Sequence, residues 1–207
     1  MVEYFVNGGP FMWPILILLI AGLGISGERF YSLIMSSTNT KEFFDDVIKS
    51  LDNDGIDNTI ELCHNTPGPV AEIFHAGLSR FHRGLREVEK AVQDAGGLEM
   101  SFLEKNMIWM NAVITIAPML GFTGTVAGMV NAFDAIAAAN DISPAVVAGG
   151  ISQALLTTAF GLIVAMIIQI FQNFFVSMID KLILDMEENS VKFMDQLHLA
   201  YEKLAQS

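Results

Sequence analysis

Two textures alternate along the chain. Tyr4 to Gly27, Asn106 to Phe133 and Ile142 to Ile179 contain no Asp, Glu, Lys or Arg. Each exceeds the about 20 apolar residues with which a helix crosses a bilayer, so each predicts a span. Elsewhere the apolar positions recur with helical period. "KEFFDDVIKSLD" places Phe43, Phe44, Val47, Ile48 and Leu51 at helical spacing and stops at the turn-like "DNDG". From Val70 to Ala95, Ile73, Phe74, Leu78, Phe81, Leu85, Val88 and Val92 form one stripe, with Arg80, Arg83, Glu87 and Lys90 off it. This stretch predicts a single amphipathic helix broken at Gly96 and Gly97, after which "LEMSFLEKN" runs straight into the second span. Past the third span, Ile179, Leu182, Ile183, Met186, Phe193, Met194, Leu197, Tyr201 and Leu204 continue the helix as an amphipathic tail.

The expectation is therefore an all-α integral membrane protein with three transmembrane helices and long helical extensions outside the membrane. Its segments are an N-terminus and first span (1–37), a cytoplasmic helical segment (38–105), a second span (106–137), a short connection (138–143), a third span (144–179) and an amphipathic tail (180–207). Composition agrees: 52% of the 207 residues are hydrophobic and 16% charged, too apolar for an ordinary soluble domain of this size.

Charge supplies the orientation. Every Lys and Arg, from Arg29 to Lys203, lies after the first span and before the second, or after the third. The positive-inside rule then places the N-terminus and the 138–143 connection outside, in the periplasm, and the middle segment and tail in the cytoplasm. The net charge of −12 argues against nucleic acid as a partner. The first span has an acid and no base ahead of it, unlike a cleaved signal peptide. Cys63 is the lone cysteine, so no internal disulfide can form. His64, His75, His82 and His198 all fall outside the spans without a nucleophile or a metal-ligand spacing, and Cys63 beside His64 is two ligands short of a zinc site. No enzyme, cofactor or metal is expected.

The second and third spans carry the candidate chemistry. In "GFTGTVAGMVNAFDAIA", Gly121, Thr125, Gly128 and Ala132 follow at three or four residues and make a narrow stripe of small side chains with a hydroxyl in it. Ala154, Thr158, Gly161 and Ala165 repeat the design in the third span, with Gln153 and Thr157 on an adjoining strip. Such stripes let helices approach closely. Polar groups inside a membrane equally mark pathways, and both readings stay open at this point. The first span, of Leu, Ile, Phe, Met and Trp with scattered Gly, belongs at the lipid-facing periphery.

"PMLGFTGTVAGMVNAF" and "AVVAGGISQALLTTAFGLIVAM", with "GERF" closing the first span and "SPAVVAGGI" opening the third, resemble the ExbB/TolQ/MotA proton-channel family, most closely its three-span members. The resemblance implies a homopentameric ring whose second and third spans line a pore. It implies a single-span partner of the ExbD/TolR kind whose Asp carries the proton, and an energy transducer of the TonB or TolA kind. It implies a place in the bacterial inner membrane and conversion of the proton motive force into mechanical work, for outer-membrane transport or envelope maintenance. By motif position Thr125 and Thr158 match the family's pathway threonines, with Thr157 and Gln153 beside them. Gln153 stands where the family commonly has Glu. An amide cannot release a proton, and no Asp, Glu or His lies within the second or third span, since Asp134 and Asp141 sit at the outer side. A membrane scaffold without conduction is the alternative, and the choice between proton and sodium is open.

Overall fold

The computed structural model describes residues 2–36, 40–139 and 144–206, with side chains for 3–36, 40–138 and 147–201. The 37/38 boundary, residues 140–143 of the connection with Asp141, and the side chains of Lys203 and Leu204 lie outside the described residues. Among the described residues every regular element is helical: α1 (Val2–Asn7), α2 (Met12–Ser36), α3 (Thr40–Asn53), α4 (Ile56–Asn65), α5 (Pro69–Leu78), a 3-10 turn (Phe81–Arg83), α6 (Leu85–Leu103), α7 (Met107–Ala139) and α8 (Pro144–Gln206). Among the described residues, three stretches of helix are long and apolar enough to cross a membrane. At 63 residues, α8 is about three times as long as a crossing requires.

The chain forms two compact units. One comprises the N-terminal stretch to Arg29 with Asn106–Phe174, and holds α1, most of α2, α7 and the first half of α8. Within it α2 buries a seam at helical spacings of three, seven, four and three: Met12, Ile15, Gly22, Ser26 and Arg29. A Cβ on Gly22 would meet Ile168 at 2.8 Å and Val113 at 3.4 Å, so the missing side chain is what lets this helix sit against α7 and α8. Trp13, Ile17, Ile20 and Leu23 on its other face are exposed. At the end of the seam the Glu28 carboxylate accepts from Arg29 Nε at 2.7 Å and from Asn106 Nδ2 at 3.2 Å, which joins the closing "GERF" of the first span to the start of the second.

The other unit, Phe30–Lys105 with Phe175–Ser207, has an aromatic and aliphatic core. Phe74 stacks on Phe193 with centroids 4.1 Å apart and on Phe43 at 5.8 Å. Val47, Ile73, Leu78, Val88 and Leu197 are buried around them. Here three sequence expectations need correction. The 70–95 stretch is not one helix: it turns through Phe81–Arg83, and Gly84, at φ 96°, adopts a conformation that side chains with a Cβ resist. Gly96 and Gly97 do not break α6, which runs through both to Leu103: glycine in a helix interior costs about 0.5–1 kcal/mol relative to alanine, which weakens a helix of this length without ending it. Nor does that helix run on into the second span. Asn106 takes φ 65°, a left-handed conformation that Asn tolerates better than most residues. It then starts α7, its carbonyl accepting from Trp109 N at 3.1 Å. Helix α4 was not anticipated, since Ile56, Ile60 and Cys63 are too few to make a stripe legible.

Candidate functional site

Helices α7 and α8 pass each other antiparallel at backbone contact. A Cβ on Gly161 would lie 2.6 Å from Ala117 O, one on Gly121 3.0 Å from Thr157 O, and one on Gly128 2.8 Å from Gly150 O. These are backbone atoms that cannot swing aside. Ala132 meets the other end of the contact, where a Cβ on Gly150 would touch it at 2.7 Å. Ala154 and Ala165 are buried on the same side of α8. The helices approach this closely because each presents hydrogen or methyl where they cross.

At the middle of this contact the two threonine hydroxyls, Thr125 Oγ1 and Thr158 Oγ1, are hydrogen-bonded to each other. Thr158 is also 3.1 Å from Gly121 O, and Thr125 lies 3.2 Å from Gly121 O and 3.4 Å from Ala154 O. A hydroxyl has one proton and two lone pairs. The pair therefore places both of its protons on acceptors inside the chain and keeps lone pairs free to accept. Both side chains are only half-buried, so the pair can be approached from one side.

Thr157 is placed differently. It is fully buried above Gly124, whose Cβ would be 2.7 Å from its own, and its hydroxyl donates within α8, with Gln153 O at 2.7 Å and Ala154 O at 3.1 Å. Gln153 lies on the opposite edge of the helix pair from Thr125 and Thr158. Its Oε1 accepts from Asn131 Nδ2 at 3.5 Å, and its Nε2 lies against Gly9, a residue at φ 76° that has no room there for a Cβ. The structure thus brings Thr125 and Thr158 together on one edge and gives Gln153 to the N-terminal turn on the other. Sequence reading did not single out Gly9, Gly22, Gly124, Asn131 or Arg29. A signal was present for the first span, where Gly22, Ser26 and Arg29 share one heptad seam.

No group of three or more His, Cys, Asp or Glu side chains is positioned to hold a metal among the described residues. In the other unit, burial pushes the Cys63 thiol up to about 12, so it is protonated and unreactive at neutral pH.

Comparison with known proteins assigns this helix pair to a class. A model of the MotA/TolQ/ExbB proton channel family matches residues 65–188, more than half of the chain. The chain is 31% identical over 185 residues to a putative biopolymer transport protein ExbB homolog of Methanothermobacter thermautotrophicus, covering 86% of this chain and 64% of that one. It is 27% identical over 173 residues to the putative biopolymer transport protein ExbB-like 3 of Synechocystis, covering 83% and 82%. Over 108 residues it is 34% identical to the Tol-Pal system protein TolQ of Pseudomonas aeruginosa, 46% of either chain. The chain belongs to the MotA/TolQ/ExbB proton channel family, and among the described residues it has three helices long and apolar enough to cross a membrane.

Proposed function

We propose that the chain is the ring-forming subunit of an inner-membrane stator that uses the proton motive force, with a single-span partner of the ExbD/TolR kind supplying the carboxyl that carries the proton. The observation that carries this reading is the Thr125–Thr158 hydroxyl pair. It stands half-exposed at the crossing of two helices that contain no titratable side chain between Asn106 and Phe133 or between Ile142 and Ile179. Moving one charge through the membrane field is worth about 2.3 kcal/mol per 100 mV, but only a group that titrates inside the membrane can couple that energy to motion. The chain offers hydrogen bonds and no proton, so the titrating group comes from elsewhere.

The hydroxyl pair discriminates between the two states of such a carboxyl. When protonated it donates to a free threonine lone pair and nothing in the chain need change. When ionised it needs a donor, and one hydroxyl must leave its bond to Thr158, Gly121 O or Ala154 O. That difference ties the protonation state to the position of the partner helix. The one-sided Lys and Arg distribution supports a periplasmic N-terminus and cytoplasmic tail. The scaffold reading has its own support, since both hydroxyls already have partners within the chain.

The test is proton flux into liposomes holding the complex as it copurifies in mild detergent. Thr158→Val keeps the volume and removes the hydroxyl. Flux should fall several-fold while the ring stays assembled. Unchanged flux in both Thr158→Val and Thr125→Val favours the scaffold. A cysteine at Ala138 should react with an impermeant thiol reagent from outside and one at Asn53 should not; the reverse overturns the orientation.

A further inference from the structure

The edge of the α7/α8 pair that carries Thr125 and Thr158 continues toward the end of the unit marked by Glu28, Arg29 and Asn106, and it is not apolar there. Asn111 lies two heptads before Thr125, and Gln169 eleven residues, or three turns, after Thr158. Both spacings return to nearly the same side of their helices. The antiparallel register set by the Gly128–Gly150, Gly121–Thr158 and Gly161–Ala117 approaches brings Asn111 level with Gln169 when continued along the helices. Gln169 Nε2 donates to Asn173 Oδ1 at 2.9 Å, and Thr115 stands one turn from Asn111, with its hydroxyl on Asn111 O at 2.9 Å. Asn111, Thr115 and Asn173 are exposed and Gln169 half-exposed. Span one packs on the other edge, against Gln153, Ile168 and Val113, and leaves this one uncovered.

Amides on a spanning helix that face hydrocarbon are costly because nothing there meets their donors and acceptors. Four uncharged polar side chains on one edge of two helices, Asn111 level with Gln169 and Thr115 and Asn173 about one turn to either side, are not scattered interfacial residues. Exposed positions of the same helices at the same depth, Ile108, Ile116 and Ile170, are apolar.

We propose that Asn111 and Gln169, supported by Thr115 and Asn173, line the inner segment of the ion pathway, holding the water through which a proton released near Thr125 and Thr158 leaves. This inference rests on the stator reading and extends it to residues outside the threonine motif. Uncharged amides suit the role, because they hydrogen-bond a water file as donor and acceptor without trapping the proton as a carboxylate would.

The experiment uses the copurified complex in liposomes. Asn111→Cys, Gln169→Cys and, as the control, Ile116→Cys are exposed to a small cationic methanethiosulfonate, which attacks only hydrated thiolates; buried Cys63 supplies no background. Asn111→Cys and Gln169→Cys should react at least tenfold faster than Ile116→Cys. The double variant Asn111→Leu, Gln169→Leu should lower proton flux at least tenfold with the oligomer unchanged on size exclusion, and Asn111→Ser with Gln169→Ser should restore most of it. Equal labelling rates would overturn the proposal, as would wild-type flux in the leucine variant or loss of the oligomer with unreactive cysteines, which would make these residues glue between subunits. Thr158→Val is run alongside. If it abolishes flux while the leucine variant conducts normally, the inner segment is wrong and the stator reading stands; if neither changes flux, the stator reading itself fails.

Discussion

Glycine does opposite work in the two units. In the unit holding α7, Gly121, Gly128, Gly150 and Gly161 are places where a methyl group would strike the backbone of the neighbouring helix. In the other unit Gly55, Gly84 and Gly97 have nothing within 4 Å of a built Cβ, and the first two are there for their positive φ, at 84° and 96°. Gly77 does face neighbours, but they are the side chains of Val92 and Phe193. The difference follows from the solvent. Lipid tails are as apolar as leucine, so spanning helices gain nothing by hiding apolar area from them and must associate through close contact and hydrogen bonds. Outside the membrane, burial of apolar area drives packing, and large side chains such as Phe43, Phe74 and Phe193 serve better than small ones.

This contrast can be broken by substitution, and the largest effect is expected at the aromatic core. Phe193→Ala removes a fully buried ring stacked on Phe74 and should cost about 3–5 kcal/mol, read as faster proteolysis of the 38–105 segment in the full-length protein. Gly161→Ala adds one methyl against Ala117 O and should destabilise by about 1–3 kcal/mol, seen as a lower melting temperature in detergent. Thr158→Val should cost about 0.5–1.5 kcal/mol in the same assay, the value of a net hydrogen bond, and so separate stability from the larger loss of flux. Gly97→Ala should run the other way, gaining about 0.5–1 kcal/mol because α6 has open space there and glycine weakens a helix interior. A result in which Gly161→Ala and Gly97→Ala shift stability in the same direction would end the comparison.

The smallest expected effect is electrostatic. Burial first, and then the Glu72 carboxylate, raise the Glu99 pKa above its ordinary value of 4.5. The folded state then binds a proton more tightly than the unfolded one. That contribution is complete below the ordinary value and is lost as pH rises through the raised one. Glu99→Gln should flatten the pH dependence of melting across that window. A slope equal to wild type would assign the effect to other groups.

Local pattern carried much of this protein. Apolar runs without charge and a 3.6-residue period are properties of neighbouring residues, so the helical class, the three long apolar helices and the stripes in α3, α5 and the tail could be read before any contact was known. The family was legible for a related reason: its motif residues are the small ones and hydroxyls that a close helix crossing requires, and they come at fixed spacing along one helix. Spacing also placed Thr125 and Thr158 on stripes of their own helices. What it could not say is which stripe meets which, and there the tertiary structure decided. Thr157 and Thr158 are adjacent in sequence, yet one is sealed over Gly124 and the other stands with Thr125, because helix rotation puts neighbours about 100° apart. Gln153 went to the edge held by Gly9 and Asn131 because the N-terminal turn packs there, a contact between residues 144 positions apart in the chain. Gly96 and Gly97 stayed inside a helix although Gly97 has nothing within 4 Å of a built Cβ, while Asn106, at φ 65°, ended the continuity: intrinsic preference is a weak guide that does not by itself decide where a helix stops.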